Sequence, residues 1–220
     1  MKRIFSAAML VVLGLAARSV MADADLSEPR SAAKAFLQAA LSGDEKALRD
    51  SLTFAEAQGP AVETFLKMQL ATAAIGKAAE AKFGEEGKKA FGVMSADDFA
   101  KRLKTIDDAK LTVAGDTATI EIPADAGHRA QGGTLKLKKI GAQWKLEAAG
   151  IYGLDKATDE KDMNARLEAV VRITELTTQI AKEIEEGKFA TARAAYEAYW
   201  SRFTGSVAGP ATAPATQPAK

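Results

Sequence analysis

Leu111-Thr-Val-Ala-Gly-Asp-Thr-Ala-Thr-Ile-Glu-Ile122 and, after a polar gap, Leu135-Lys-Leu-Lys-Lys-Ile-Gly-Ala-Gln-Trp-Lys-Leu-Glu-Ala148 are the stretches whose reading decides the fold. Their apolar residues recur at every second position: Leu111 and Val113, then Ala118, Ile120 and Ile122, then Leu135 and Leu137, then Trp144, Leu146 and Ala148. Thr, Lys and Glu occupy most positions between. A period of two marks strands with one apolar and one polar face. Gly115-Asp116 and Gly141-Ala142 interrupt the alternation where tight turns belong. The segment predicts an antiparallel meander with one face covered, its two hairpins joined by a polar loop over Pro123 to Gly133.

On both sides of the meander the period is helical. Ser27-Glu28-Pro29 opens a first helix with Ser27 as its cap, and Ala33, Phe36, Leu37, Ala40 and Leu41 follow at helical spacing. Ser42-Gly43 ends it, and Asp44 caps a short second helix bearing Ala47, Leu48 and Leu52. Beyond Gly59-Pro60, Val62, Phe65, Leu66, Gln69, Leu70 and Ala73 share one face of a third helix. Gly76, Gly84, Gly87 and Gly92 each weaken a helix interior by roughly 1 kcal/mol relative to alanine, so this helix is expected to fray into a mobile loop. Ser95-Ala-Asp-Asp98 is a capping box with Asp in the Glu position, and it opens a helix of Phe99, Leu103 and Ile106.

After Gly150-Ile-Tyr-Gly153, Met163, Leu167, Val170, Val171, Thr174, Thr177, Ile180 and Ile184 predict a helix of roughly 25 residues. Gly187-Lys188 breaks it, and Phe189, Ala192, Tyr196, Tyr199, Trp200 and Phe203 form a shorter one, so residues 154–204 read as a helical hairpin. From Gly205 onward the chain is mostly Ala, Pro, Thr and Gly. Ordering it would cost about 1–2 kcal/mol per residue with no apolar surface to offset that, so 205–220 reads as a disordered tail.

At the other end, Met1-Lys-Arg3 precedes an apolar run from Ile4 to Ala17. That run is shorter than the about 20 residues that cross a bilayer. Val20-Met21-Ala22 and Ala22-Asp23-Ala24 both fit a small-x-small cleavage site. Residues 1–22 are read as a signal peptide cleaved after Ala22, with Ala24 as the other site and retention as an anchor the alternative that Arg18 leaves open. The expectation is export to the periplasm or the extracellular space, with no membrane span after cleavage.

The 220 residues include 47 alanines, which lean the chain toward helix. Cysteine is absent, which excludes disulfides, thiolate metal sites and a cysteine nucleophile. His128 is the one histidine, too few for a histidine-built metal site within one chain. Removing residues 1–22 takes away Lys2, Arg3 and Arg18 and no acid, leaving 27 basic against 29 acidic residues. A slightly acidic surface does not suit nucleic acid.

Two segments together resemble the nuclear-transport-factor-2-like (cystatin-like) superfamily. Ala33-x-x-Phe36-Leu37-x-x-Ala40-Leu41-x-Gly43-Asp44-x-x-Ala47-Leu48 is similar to its opening helices. Gly115-Asp-Thr-Ala-Thr-Ile-Glu-Ile122, with Leu135-x-Leu137 and Gly141-x-x-Trp144-Lys-Leu146, is similar to its late hairpins. The resemblance implies a curved antiparallel sheet wrapped round helices over residues 23–153, with a conical apolar cavity. It covers about 60 residues, and no catalytic residue of the superfamily finds a match. The fold expected is therefore α+β, a curved antiparallel sheet packed on N-terminal helices with an additional C-terminal helical hairpin.

Candidate chemistry is sparse. His128, in Asp125-Ala-Gly-His-Arg129, has an imidazole suited to acid–base work but sits in a polar loop. Asp97-Asp98, Asp107-Asp108, Glu85-Glu86 and Glu185-Glu186 are adjacent in sequence, so their side chains diverge and do not share a site. Ser31-Ala-Ala-Lys34 has the spacing of a serine–lysine nucleophile without the partner motifs. Trp144 and Tyr152 are candidates to line an apolar ligand cavity, with core packing the competing role. Tyr196, Tyr199, Trp200 and Phe203 share one helical stripe that either packs inside the hairpin or docks a partner.

These readings converge on an exported, non-enzymatic binding or scaffold module of the cell envelope. It needs no cofactor or metal and engages a protein partner or a small apolar ligand. The alternative is a small cavity enzyme of hydratase or isomerase type using His128 or a buried carboxylate. The enzyme requires an enclosed cavity with a displaced titratable group. Partner binding requires that the Tyr196–Phe203 rings are not all buried.

Overall fold

The structure is a computed structural model that describes residues 25–123, 133–157 and 159–207. The segment read as a signal peptide with its cleavage site, His128 with its loop, and the tail beyond Val207 lie outside the described residues.

The described residues begin with two helices, α1 (Pro29–Ser42) and α2 (Glu45–Asp50). Pro29 stands in the first turn of α1 and Glu28, not Ser27, is the cap residue; the Ser27 hydroxyl instead donates to Asp25. Gly43 ends the helix in the left-handed region at φ 63°, where a Cβ is strained. Asp44 accepts from the Ala47 N–H as the cap of α2. Next come β1 (Leu52–Thr53), a 3-10 turn at Glu56–Gln58, and the long helix α3 (Gly59–Phe83).

Residues 76–92 depart from the frayed helix and loop expected of their glycines. Helix α3 continues to Phe83, the chain turns at Gly84, and α4 (Glu85–Ala90) folds back on α3. Glycine serves close approach here: a Cβ on Gly87 would lie 2.0 Å from the Ala79 carbonyl oxygen.

Ser95 caps α5 (Ala96–Asp108), its Oγ accepting from the Asp98 N–H and its hydroxyl donating to the Asp98 carboxylate. The meander follows as β2 (Lys110–Ala114), β3 (Thr117–Ile122), β4 (Gly133–Ile140) and β5 (Gln143–Glu147). Its registers put Leu111 beside Ile120, Ile120 beside Leu135, and Leu137 beside Leu146 on one face. Helices α6 (Ala148–Tyr152), α7 (Glu160–Glu185) and α8 (Ala192–Val207) are the last elements among the described residues. Ala148, expected to close the last strand, instead starts α6, and α8 runs past the expected end at residue 204.

The expected curved antiparallel sheet is corrected. The sheet is open and mixed, in the order β1-β5-β4-β3-β2, with β1 parallel to β5, and it is neither curved round the helices nor closed. Leu146 N–H donates to the Ser51 carbonyl beside this parallel pair. A two-residue strand carries no period, so the sequence held no sign of it.

The two C-terminal helices lie against each other, with Arg202 of α8 reaching Glu183 of α7. Helix α7 also pairs with α3 along much of its length. Both helices start in the apolar cluster under the sheet, where Val62, Phe65 and Leu66 meet Val170, Met163 and Leu167. Both end in a second cluster, where Ile75, Ala78 and Ala79 meet Leu176, Ile180, Ala181 and Ile184. They therefore run side by side in the same direction, over about 37–39 Å at 1.5 Å per residue. At the far end α4 and α8 turn back, α4 against α3 and α8, and α8 against α7. Alanines on α3 let α7 come close, and each fully buried Ile on α7 contributes about 1.5–3 kcal/mol.

Candidate functional site

The six candidate residues fall into two places. Trp144 and Tyr152 belong to the cluster under the sheet, whereas Tyr199 and Phe203 pack against the cluster at the helical tip.

Strand β5 turns Trp144 inward, and its backbone N–H donates to the Leu26 carbonyl at 2.8 Å. Its ring is buried, with Lys139 Nζ 5.9 Å from the centroid. Tyr152 ends α6 and lies stacked on Phe65, centroids 5.0 Å apart. Its hydroxyl donates to Gln69 Oε1 at 2.8 Å, so two buried polar groups satisfy each other. Burial, with the Glu63 charge adding to it, pushes the Tyr152 phenol well above its ordinary pKa. Glu63 in turn is held below the usual carboxylate range by Arg49, which also bonds Glu45. Ile120, Leu137, Trp144 and Leu146 fill the inner face of the sheet, with Leu111 and Leu135 packed against them. Trp144 and Tyr152 are core residues in this arrangement.

The other four candidates are carried by α8 at spacings of three and four, which puts them on one stripe. Phe203 stacks on Tyr199 at 6.1 Å, and Trp200 meets Phe203 edge-on at 5.1 Å and Tyr196 at 6.0 Å. Phe91, at the end of α4, extends the set to Tyr196 at 5.9 Å and Tyr199 at 6.5 Å. Sequence reasoning missed Phe91 because it stood in the supposed loop; the Phe91-Gly92 pair at a helix end was the signal that could have found it. The rings are not sealed: Tyr196 is 37% exposed, and Tyr199, Trp200 and Phe203 are half-buried. The Trp200 indole N–H has no acceptor among the described residues.

Beside Tyr196 lies an open depression of about 460 Å³ between α4 and α8, lined by Glu86, Lys89, Ala90, Ala192, Arg193 and Tyr196. Its two alanines present a small apolar floor between charged residues. Arg193 is engaged by Glu197 at 2.7 Å, and Lys89 forms no ion pair among the described residues. Helix α8 is tied to α7 by Arg202, which reaches Glu183 at 3.0 Å, and Gln179 donates to the same carboxylate. Arg202 holds the Glu183 carboxyl below its ordinary pKa. A second open depression runs along α7 past Leu167 and Val171.

The adjacent carboxylates diverge as their sequence spacing dictates. Asp107 pairs with Lys34 and Asp108 with Lys104, and Glu85 pairs with Lys88. Among the described residues no group of three or more His, Asp or Glu side chains could hold a metal ion, and no helix is long and apolar enough to cross a membrane. Comparison of the chain with protein-family models, with curated proteins and with solved structures brings up no match.

Proposed function

We propose that this protein is an exported, non-enzymatic binding module of the cell envelope that holds a protein partner on the aromatic face of α8. The observation that carries the reading is the half-exposed stripe Tyr196-Tyr199-Trp200-Phe203, continuous with an open depression floored by Ala90 and Ala192. Aromatic rings already packed against one another lose little side-chain freedom on binding, which favours them as anchors. The paired helices α3 and α7 carry this face to the end of the molecule away from the sheet. Export rests on the signal-peptide pattern of residues 1–22. The partner segment that fits sets an apolar side chain on the two alanines beside Tyr196 and brings a carboxylate to Lys89.

A photo-crosslinking residue placed at position 196 in producing cells tests this. The expected result is one discrete adduct that disappears with Trp200→Ala and is absent when the same probe stands at position 136 on the outer face of the sheet. The absence of an adduct at 196, or an identical pattern at 136, contradicts the reading.

A further inference from the structure

We propose that β2 is a self-pairing edge, through which two copies of this chain join antiparallel along Lys110–Ala114 across a twofold axis at Thr112. Strand β2 is the last of its sheet and pairs with β3 alone. Its hairpin closes through Gly115 and Asp116, between the partners Ala114 and Thr117. A two-residue loop closes on a pair that exchanges both backbone bonds, and such pairs alternate with non-bonded pairs along the ladder. Ala114, Thr112 and Lys110 therefore direct their N–H and C=O groups to β3. The corresponding groups of Leu111 and Val113 point outward as a free edge.

The side chains at this edge supply a second observation. Leu111 and Val113 lie on the apolar face of the sheet, and Val113 is 51% exposed, the most exposed of the large apolar side chains described. Protected edges carry a charge, a proline or a bulge within the strand. The middle of β2, Leu111-Thr112-Val113, has none of these.

The strand also complements itself. With the axis at Thr112 all five residues overlap, and Leu111 of each copy stands opposite Val113 of the other. These are the two residues with outward backbone groups, so both Leu111–Val113 pairs exchange their N–H···O=C bonds. Val113 gains apolar cover. Lys110, the strand's one charge, stands opposite Ala114 rather than its own copy, which avoids a like-charge pair. Five residues from each side make a contact smaller than the roughly 1,200 Å² of standard stable interfaces, so the dimer is weak and concentration-dependent.

Because the chain has no cysteine, a single introduced thiol reports the register. Thr112 faces itself in a non-bonded pair, where Cα atoms stand about 4.5 Å apart, within disulfide range. Mature Thr112→Cys is expected to oxidise to a covalent dimer at least about tenfold faster than Thr134→Cys, an exposed position on β4 used to set the collision rate. Ala114→Cys alone stays near that rate, while mixing it with Lys110→Cys yields the mixed dimer. In sedimentation equilibrium, the mass of the unmodified mature chain rises with concentration. Val113→Lys remains a monomer with an unchanged circular dichroism spectrum. A chain that stays monomeric to about 1 mM overturns the proposal. So does Thr112→Cys reacting no faster than Thr134→Cys, or a dimer that survives Val113→Lys.

Discussion

Gly87 and Ala79 meet backbone to backbone, with room for no Cβ on Gly87: one built there would lie 2.0 Å from the Ala79 carbonyl oxygen. This contact lets α4 lie flat on α3 and places Phe91 against Tyr196. Gly87→Ala gains roughly 1 kcal/mol of helix propensity but collides with a backbone atom that cannot rotate away. The net expectation is a loss of about 1–3 kcal/mol and a lower unfolding temperature. Thermal unfolding monitored by circular dichroism checks it; an unchanged or raised midpoint contradicts the contact.

Tyr152 and Gln69 form the buried polar pair of the body. Tyr152→Phe keeps the stack on Phe65 and strands the Gln69 amide, at an expected cost of about 1–3 kcal/mol near neutral pH. The substitution also changes the alkaline limb. Burial raises the phenol's pKa in the folded chain, so its contribution is fully present below the ordinary value of 10.0 and is lost as pH rises beyond it. Denaturant midpoints at pH 8 and pH 11 are expected to fall further for the unmodified protein than for Tyr152→Phe. Equal falls contradict the assignment.

Glu183 anchors α8 from the side of α7. Its carboxyl is held below the ordinary 4.5 by Arg202, so the contribution of the pair is present above that pH and lost as pH falls through the lower folded value. Since the Arg202 side chain is 41% exposed, the pair is worth about 1 kcal/mol or less. Glu183→Gln is expected to be slightly less stable than the unmodified chain at pH 7, with the gap closing by pH 3. A gap that stays constant over that range contradicts the role.

The pattern at the start of the chain predicts export with cleavage after Ala22. Mass spectrometry of the secreted or periplasmic protein is expected to find Asp23 as the first residue. Intact Met1 on the recovered protein contradicts it.

What the sequence made legible follows from period and punctuation. The four strands of the meander alternate cleanly because one face is packed and the other solvated, so their registers could be anticipated from Ile120, Leu137 and Leu146. The parallel strand Leu52–Thr53 could not, since two residues have no period and its pairing with Leu146 and Glu147 is set by tertiary contact. Gly76, Gly84 and Gly87 misled for a related reason. Propensity reads glycine as a helix breaker, whereas Gly87 is selected here by the approach of another backbone. The aromatic stripe of α8 was legible as a stripe, but its membership was not: Phe91 joins from a distant segment. For Trp144 and Tyr152 the sequence favours core over a cavity wall, and the choice depends on what fills the inner face of the sheet.

The proposed docking role of α8 is tested most directly by hydroxyl-radical footprinting of Tyr196 and Trp200, with buried Trp144 as the internal standard. The mature protein is compared in purified form and within the envelope of the cells that produce it. The account predicts that both rings oxidise readily in the purified protein and are protected several-fold in the envelope, while Trp144 stays unmodified in both. Equal oxidation of Tyr196 and Trp200 in the two samples would contradict it.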